Sequence, residues 1–365
     1  MKTDGNFGFM NKEPSNLLFV TPGFPENEAD STCIPALQEF VLGLNKLYPE
    51  IDITILTLHY PGENKHYNWY GNKIVSIGAN NCSFPKRLFY WKQLKSMVSQ
   101  LHLKQTFDLI HTFWFDEVTY LMSPLAQKLN IPMYCTFMGQ DAIGKNKYAQ
   151  RIHPKNITLV ALSAQHNSAI KTHLNISVEN IIPWGISKSS KKCPDKDLDL
   201  INIGSFNTIK NQMEALDIIS KSLDVYPDLS CVFVGDGPEL GRVKSHAHEL
   251  GIEKNVTFTG KLNRDDIFLL LDRTKILLHS SNYESFGMIF AEAVYSDTMI
   301  VSREVGIAEE KPWWKVYEST EAAAEFIIEL LKNPTSPTDQ EKSSVSIANT
   351  VGKYVQLWST KKGRP

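Results

Sequence analysis

The stretch ILLHSSNYESFGMIFAEAVYSDTMIVSREVG, residues 276–306, decides both the fold and the site. An apolar strand pattern ends at a Ser-Ser turn, Glu284 and a Ser-Phe-Gly bend follow, and a helical run then carries Glu292. Ligands of α/β sheets bind at the carboxyl ends of strands, where Glu284 would lie. Glu292 would lie about two turns further along on much the same face, where a carboxylate can accept two hydrogen bonds from a sugar diol.

The bend before this helix adds a feature that suits phosphate. The helix would open with the amides of Phe286, Gly287 and Met288. Free amide groups and the positive end of the helix dipole attract anions. The stretch therefore predicts a site for a polyhydroxylated ligand that also carries phosphate.

Strand and helix patterns alternate along nearly the whole chain, which predicts parallel sheets with helices on both faces. Residues 184–199 interrupt the alternation, because they are polar, rich in lysine and broken by Pro194. We therefore predict two α/β domains. The predicted segments are a tail at 1–15, a first domain at 16–184, a linker at 185–199, a second domain at 200–340 and a C-terminal helix at 341–365 that crosses back to the first domain.

Composition excludes several classes of protein. The 365 residues are 42% hydrophobic and carry a formal net charge of −2, which favours globular cores and argues against disorder and general polyanion binding. The five cysteines are isolated, so we expect reduced thiols. No apolar run approaches the ~18 residues of a membrane span, and the polar start lacks a signal peptide. We expect a cytoplasmic protein.

Four signatures occur in order in the second half, and together they resemble the retaining glycosyltransferases of family four. They are Ile203-Gly204-Ser205-Phe206 with Lys210, the turn at 234–238 (VGDGP), the strand at 255–260 (NVTFTG), and the paired glutamates Glu284 and Glu292. Weaker landmarks of the same family occur at 108–111 (DLIH), 138–141 (MGQD) and 182–185 (IPWG). The resemblance covers roughly residues 16–310.

The resemblance implies the GT-B fold, in which two Rossmann-like domains face each other across a cleft. It also implies transfer of a sugar from a UDP- or GDP-linked donor to an acceptor hydroxyl of a glycan or a lipid-linked saccharide, with retention of configuration. The second domain would bind the donor and the first the acceptor. The resemblance implies that no metal and no cofactor are needed.

The resemblance also assigns roles to individual residues. The catalytic candidates are Lys210, which would neutralise the leaving diphosphate, Glu284, which would position the sugar, and Asp141, which would contribute from the acceptor side. The donor-binding candidates are Ser205, Gly235, Asp236, Gly237, Phe286, Gly287, Met288 and Glu292, the last of which would hold the ribose. The acceptor-side candidates are His111, Met138, Trp69 and Trp91. Ser205 stands where the family has arginine, and Met138 where it has histidine.

Each of these residues also has a structural interpretation. Asp236 and Asp141 can be local caps of turns, and His111 can be a hydrogen-bonded core histidine. The run Asp195, Asp197 and Asp199 lies in the lysine-rich linker without an oxygen cage, so we predict no metal there. Two other functions stay open: a nucleotide-sugar epimerase on the same fold, and a degenerate protein that only binds a saccharide or a partner.

Residues 64–107 contain no acidic residue, and seven lysines and arginines alternate there with aromatic residues. This pattern is typical of contact with an anionic membrane surface, here the inner face of the membrane, or with a lipid pyrophosphate. The alternative is an amphipathic helix that packs its aromatics inward. Nucleic acid gives a similar pattern, but the near-neutral chain and the sugar-site motifs argue against it.

Overall fold

A computed structural model of the chain describes residues 14–143, 146–187 and 196–359. The first domain is built on an eight-stranded sheet in the order β3-β4-β2-β1-β5-β6-β7-β8, parallel except where β3 pairs with β4. Its strands are β1 (Asn16–Gly23), β2 (Asp52–Tyr60), β3 (Lys65–Trp69), β4 (Asn72–Ser76), β5 (Leu109–Phe113), β6 (Met133–Thr136), β7 (Thr158–Ala161) and β8 (Asn180–Ile181). Its helices are α1 (Pro35–Leu47), α2 (Lys86–Lys104), α3 (Glu117–Leu129) and α4 (Ala164–Leu174).

The second domain is built on a six-stranded parallel sheet in the order β11-β10-β9-β12-β13-β14. Its strands are β9 (Leu198–Ile203), β10 (Cys231–Val234), β11 (Val256–Gly260), β12 (Thr274–His279), β13 (Met299–Ser302) and β14 (Trp314–Val316). The helices of this half are α5 (Gln212–Leu223), α6 (Leu240–Glu249), α7 (Arg264–Arg273), α8 (Met288–Tyr295), α9 (Thr320–Lys332), α10 (Asp339–Ser344) and α11 (Ile347–Ser359). The predicted class, α/β with two Rossmann-like domains, is confirmed.

The strand order determines where ligands can bind. The chain runs outward from β9 to β10 and β11, and then returns to the other side of β9 with β12. The loops after β9 and β12 therefore diverge and leave a crevice at the carboxyl ends of the two strands. Lys210 follows β9 and Glu284 follows β12, so the topology brings these residues to the same crevice.

The two central strands are apolar because helices cover both of their faces. Residues 17–21 of β1 are all buried, and so are residues 276–279 of β12. Strands buried on both faces need continuous apolar runs rather than alternation. This requirement explains why these segments are recognisable in the sequence.

The C-terminal segment returns to the first domain, but it is not one helix. The predicted helix divides into α10 and α11, and the chain between them forms a parallel bridge from Ser346 to Ile186. The amide of Ile186 donates to the carbonyl of Val345, and the amide of Ile347 donates to that of Ile186. A continuous helix would use these groups internally, so the bridge ends α10.

α11 packs on α1 and buries the rings of Tyr354 and Trp358 within the first domain. The Tyr354 hydroxyl lies 2.9 Å from Thr136 Oγ1. The chain therefore passes between the domains twice, once on each side of the Ile186–Ser346 bridge. The predicted tail at 1–15 and linker at 185–199, with Asp195, fall largely outside the described residues.

Candidate functional site

The carboxyl ends of the two sheets face each other, and short loops bond across the cleft. The Tyr283 hydroxyl donates to the carbonyl of Gly139 at 3.0 Å, and Ser285 Oγ donates to the carbonyl of Met138 at 3.0 Å. Ser163 Oγ donates to the carbonyl of Ser285 at 2.8 Å. The loop that carries Glu284 is therefore held against the first domain on both sides of that residue.

Lys210 and Glu284 form an ion pair in the crevice between β9 and β12. His279, the last residue of β12, adds a second contact, because its Nε2 lies 2.9 Å from Glu284 Oε1. Burial raises the pKa of Glu284, but the hydrogen bond from His279 and the charge of Lys210 outweigh it and lower the value to about 2. Glu284 is therefore a carboxylate at neutral pH.

The loop after β9 fixes the direction of Lys210. Asn207 Oδ1 accepts from the amides of Ile209 and Lys210, both at 3.0 Å. Ser280 Oγ donates to the carbonyl of Lys210 at 3.0 Å. The bonds at the amide and the carbonyl of Lys210 hold its backbone, so the side chain alone remains free to change partner.

Two glycines bring the loops after β9 and β10 together. A Cβ at Gly235 would lie 2.0 Å from the carbonyl oxygen of Gly204, and one at Gly237 would lie 2.3 Å from that of Phe206. Both glycines have positive φ, 137° and 158°. Side chains are therefore excluded on steric grounds. Asp236 is exposed, and its Oδ1 accepts from the Gly237 amide, as expected of a local cap.

The remaining donor-side candidates occupy the start of α8 and the loop after β9. Gly287 precedes α8 with φ of 83°, and a Cβ there would lie 2.5 Å from the Phe290 ring. The Phe286 ring is buried in the core, so only its backbone can reach a ligand. Met288 is the first residue of α8 and is half-buried. Ser205 is exposed, and its carbonyl accepts from Gln212 Nε2 at 3.2 Å.

Glu292 does not contact Lys210 or Glu284. Its Oε1 lies 3.4 Å from Arg264 Nε, and Arg264 Nη1 lies 2.5 Å from Glu39 Oε1 on α1 of the first domain. Burial raises the pKa of Glu292 to about 7, since Arg264 only partly offsets it and the charge of Glu39 adds to it. One guanidinium therefore serves two carboxylates, one from each domain.

Asp141 is occupied by its own loop. Its carboxylate accepts from the amides of Gly139 and Phe115, both at 2.7 Å, and from the amide of Met138 at 3.1 Å. Burial raises its pKa against the effect of these bonds. A contact with sugar would cost Asp141 these bonds, so its position corresponds to the local cap rather than to a catalytic group.

Two of the four acceptor-side candidates are fully buried and unavailable to a ligand, and this corrects the prediction. His111 is fully buried, with Nε2 2.9 Å from Thr136 Oγ1 and Nδ1 accepting from Trp358 Nε1 at 3.3 Å. Burial lowers its pKa to about 3, so it is the neutral core histidine of the structural interpretation. Trp69 is fully buried against Phe24.

Trp91 is half-buried and is held by a hydrogen bond to α3. Its indole Nε1 donates to Glu117 Oε1 at 2.5 Å, and Glu117 Oε2 lies 3.2 Å from His59 Nε2. These contacts fix the start of α2 to α3, so the aromatic ring has a packing role. Met138 remains half-buried beside the cleft, at the contact with Ser285.

Sequence reasoning missed His279, Tyr283, Arg264 and Glu39. His279 and Tyr283 lie within the stretch that decides the fold, and a histidine at the end of a strand before a ligand loop was a usable signal. Arg264 and Glu39 lie 225 positions apart and gave no local signal. Among the described residues, no group of three or more His, Cys, Asp or Glu is arranged to hold a metal ion. In the same part of the chain, no helix is both long and apolar enough to span a bilayer.

The architecture is GT-B, as solved glycosyltransferase structures show. The chain covers 98% of a lipopolysaccharide outer core galactosyltransferase, WaaB, with a TM-score of 0.67, 13% identity and 94% of this chain aligned. It covers 95% of Anabaena HepE, solved with UDP and glucose, with a TM-score of 0.62, 14% identity and 94% of this chain aligned.

Residues 186–345, in the second half of the chain, match the family model Glycosyl transferases group 1. N-acetyl-α-D-glucosaminyl L-malate synthase of Bacillus anthracis is 31% identical over 34% of this chain and 30% of its own length. α-Monoglucosyldiacylglycerol synthase of Streptococcus pneumoniae is 22% identical over 74% of this chain and 69% of its own length. The chain thus spans less than a third of the first relative. These comparisons support the prediction of a glycosyltransferase.

Proposed function

We propose that the protein transfers a sugar from a UDP- or GDP-linked donor to an acceptor hydroxyl, with retention of configuration. The observation that carries this proposal is the Lys210–Glu284 pair, which lies in the crevice between β9 and β12 and faces the first domain. A mobile cation beside a fixed carboxylate suits a ligand that has both a diphosphate and hydroxyl groups. The HepE complex with UDP and glucose adds support from the same fold.

In this mechanism, Lys210 leaves Glu284 and binds the diphosphate as negative charge develops on it. Glu284 and the amides at the start of α8 orient the transferred sugar. Glu292 accepts hydrogen bonds from the ribose hydroxyls. The acceptor attacks from the face of the leaving group, and an oxygen of the departing phosphate takes its proton. Closure of the cleft excludes water, which would hydrolyse the donor.

Isothermal titration calorimetry with UDP-glucose and GDP-glucose tests the donor site. We expect one of them to bind, and Lys210→Ala to weaken the binding by about 10- to 100-fold, the value of a hydrogen bond to a charged group. Glu292→Ala should weaken it as well. Lys221→Ala is the matched control, because Lys221 pairs with Glu321 at 3.0 Å outside the cleft. Equal affinities in all four proteins would favour the degenerate protein, and conversion of the sugar without acceptor would favour the epimerase.

We also propose that the acceptor is reached at an anionic membrane surface through the start of α2. Phe84 and Phe89 are 69% and 65% exposed, and Leu88 lies between them. Lys86 and Lys92 are exposed on the same segment. Apolar side chains flanked by lysines suit insertion between anionic headgroups. The name of the diacylglycerol synthase relative is consistent with a lipid acceptor.

Sedimentation with vesicles of phosphatidylglycerol and phosphatidylcholine tests this surface. We expect binding at low salt that weakens as salt rises. Phe89→Ser should reduce it several-fold. Leu103→Ser is the matched control, because Leu103 is 86% exposed at the opposite end of the same helix. Equal effects of the two substitutions, or no sedimentation at low salt, would overturn the proposal.

A further inference from the structure

His279 is a buried histidine at the centre of the site, and none of the roles described above uses it. It ends β12, is 2% exposed, and meets the ring of Phe290 edge-on with 4.8 Å between the centroids. Its Nε2 lies 2.9 Å from Glu284 Oε1. A buried polar group of this kind is expected to have a hydrogen-bond partner, and here the partner is the carboxylate that the mechanism needs.

The proton of this bond can be assigned. Burial lowers the pKa of His279, with Glu284 acting in the opposite direction, so the imidazole is neutral at pH 7. Because Glu284 is ionised and can only accept, the single proton of the ring lies on Nε2. His279 is therefore a neutral donor to Glu284.

The two side chains that donate hydrogen bonds to Glu284 contact the same carboxylate oxygen. Lys210 Nζ and His279 Nε2 both contact Oε1. Among the described residues, no protein group donates to Oε2. That oxygen is the one available for hydroxyl groups of a ligand.

We propose that His279 is a positioning residue for Glu284, an inference that rests on the proposed function. When Lys210 turns to the diphosphate, Glu284 loses one of its two donors. The bond from His279 then keeps Oε1 in place and Oε2 directed at the sugar. A neutral imidazole suits this task, because a second fixed cation would hold the carboxylate but would also repel Lys210. Because the His279 ring is buried against Phe290, it stays in place when Lys210 moves to the diphosphate.

Three variants test the proposal. Comparing them separates loss of the hydrogen bond to Glu284 from a general loss of folding. His279→Leu removes the donor, and His279→Gln restores an N–H close to the position of Nε2. His246→Gln is the matched control, because His246 also contacts a carboxylate, Asp217 Oδ1 at 2.6 Å, but lies outside the cleft on α6. Thermal unfolding identifies any variant that does not fold.

The readouts are the dissociation constant of the donor that binds the wild-type protein and the rate at which that donor is hydrolysed without acceptor. We expect His279→Leu to lower kcat at least tenfold with less than a threefold change in donor affinity, and His279→Gln to recover most of the rate. Folded His279→Leu with wild-type kcat would overturn the proposal, as would His279→Gln that is as slow as His279→Leu. Absence of donor binding in the wild-type protein would instead refute the proposed function.

Discussion

At the scale of single residues, the two glutamates of the site differ because of their partners. Glu284 has a lysine and a histidine on one oxygen, and its pKa is lowered to about 2. Glu292 shares one guanidinium with Glu39, and its pKa is raised to about 7. The same side chain, buried to a similar extent, is therefore a permanent anion at one position and a titrating group near neutrality at the other.

The raised pKa of Glu292 predicts a pH dependence of stability. Its value in the folded protein, about 7, exceeds its ordinary value of 4.5, so the folded state binds more protons than the unfolded state between these values. Stability from this group is therefore present at low pH and decreases as pH rises from about 4.5 to about 7. In the wild-type protein, the free energy of unfolding should fall by up to about 3 kcal/mol over this range, and Glu292→Gln should abolish this fall. Urea unfolding of both proteins across this range measures it, and parallel curves would contradict the expectation.

At the scale of elements, the site depends on how closely the loops after β9 and β10 approach each other. The amide of Phe206 donates to the carbonyl of Asp236, and the amide of Glu239 donates to that of Phe206. These bonds can form only because Gly235 and Gly237 lack side chains. The glycines therefore act on the crevice indirectly, through the position of the loop that carries Lys210.

Gly235→Ala should damage this contact. The new Cβ would meet the Gly204 carbonyl oxygen, and the positive φ of Gly235 adds strain. We expect the free energy of unfolding to fall by about 2 kcal/mol or more. Gly241→Ala is the matched control, since that glycine lies in α6 with no atom within 4 Å of the new Cβ, and it should be neutral or stabilise by up to about 1 kcal/mol. Chemical denaturation measures both, and equal effects would contradict the argument.

The elements and the site differ in how well the sequence predicts them. The strands at Met133–Thr136 and Met299–Ser302 are recognisable in the sequence, because they are short, continuous apolar runs. The strand Lys65–Trp69 is not recognisable in this way, since it pairs antiparallel at an edge and its exposed polar residues resemble a loop. The break between α10 and α11 depends on a bond to Ile186, which no local pattern reveals.

The same distinction holds within the site. Lys210 and Glu284 were predictable because each follows a strand, and the strands are neighbours in the sheet. The burial of His111 beneath Trp358 was not, because 247 positions separate them in the sequence. Arg264, the partner of Glu292, was missed because no local pattern links the two residues. Local pattern thus identifies which residues reach the cleft edge, and packing between distant elements decides which of them stay accessible.

At the scale of the whole molecule, the two domains are joined by a charge contact as well as by loops. Arg264 of the second domain pairs with Glu39 of the first, and Glu39 Oε2 also accepts from the amide of Ser187 at 3.0 Å. Among the described residues, the buried Nε and Nη2 of Arg264 have no hydrogen-bond partner, although Nε lies 3.4 Å from Glu292 Oε1. The ion pair between Arg264 and Glu39 therefore adds to the loop hydrogen bonds that join the two domains.

Glu39→Gln tests this contact. Loss of the negative charge should weaken the ion pair between the first domain and Arg264. The molecule should then shift toward a form in which the two domains lie further apart. We expect a larger radius of gyration in small-angle X-ray scattering without donor, and a pKa of Glu292 lower than in the wild-type protein. Glu26→Gln is the matched control, because Glu26 pairs with Lys65 within the first domain. An unchanged radius in the Glu39 variant would show that the loops alone hold the domains together.

The bridge between Ile186 and Ser346 has a consequence for the path of the substrates. A Cβ at Gly185 would lie 2.2 Å from the carbonyl oxygen of Ser346, so the two connecting segments are in direct contact. Relative movement of the two domains would therefore pivot near this contact. Under the proposed function, donor and acceptor would enter the cleft on the side away from it, and the product would leave the same way.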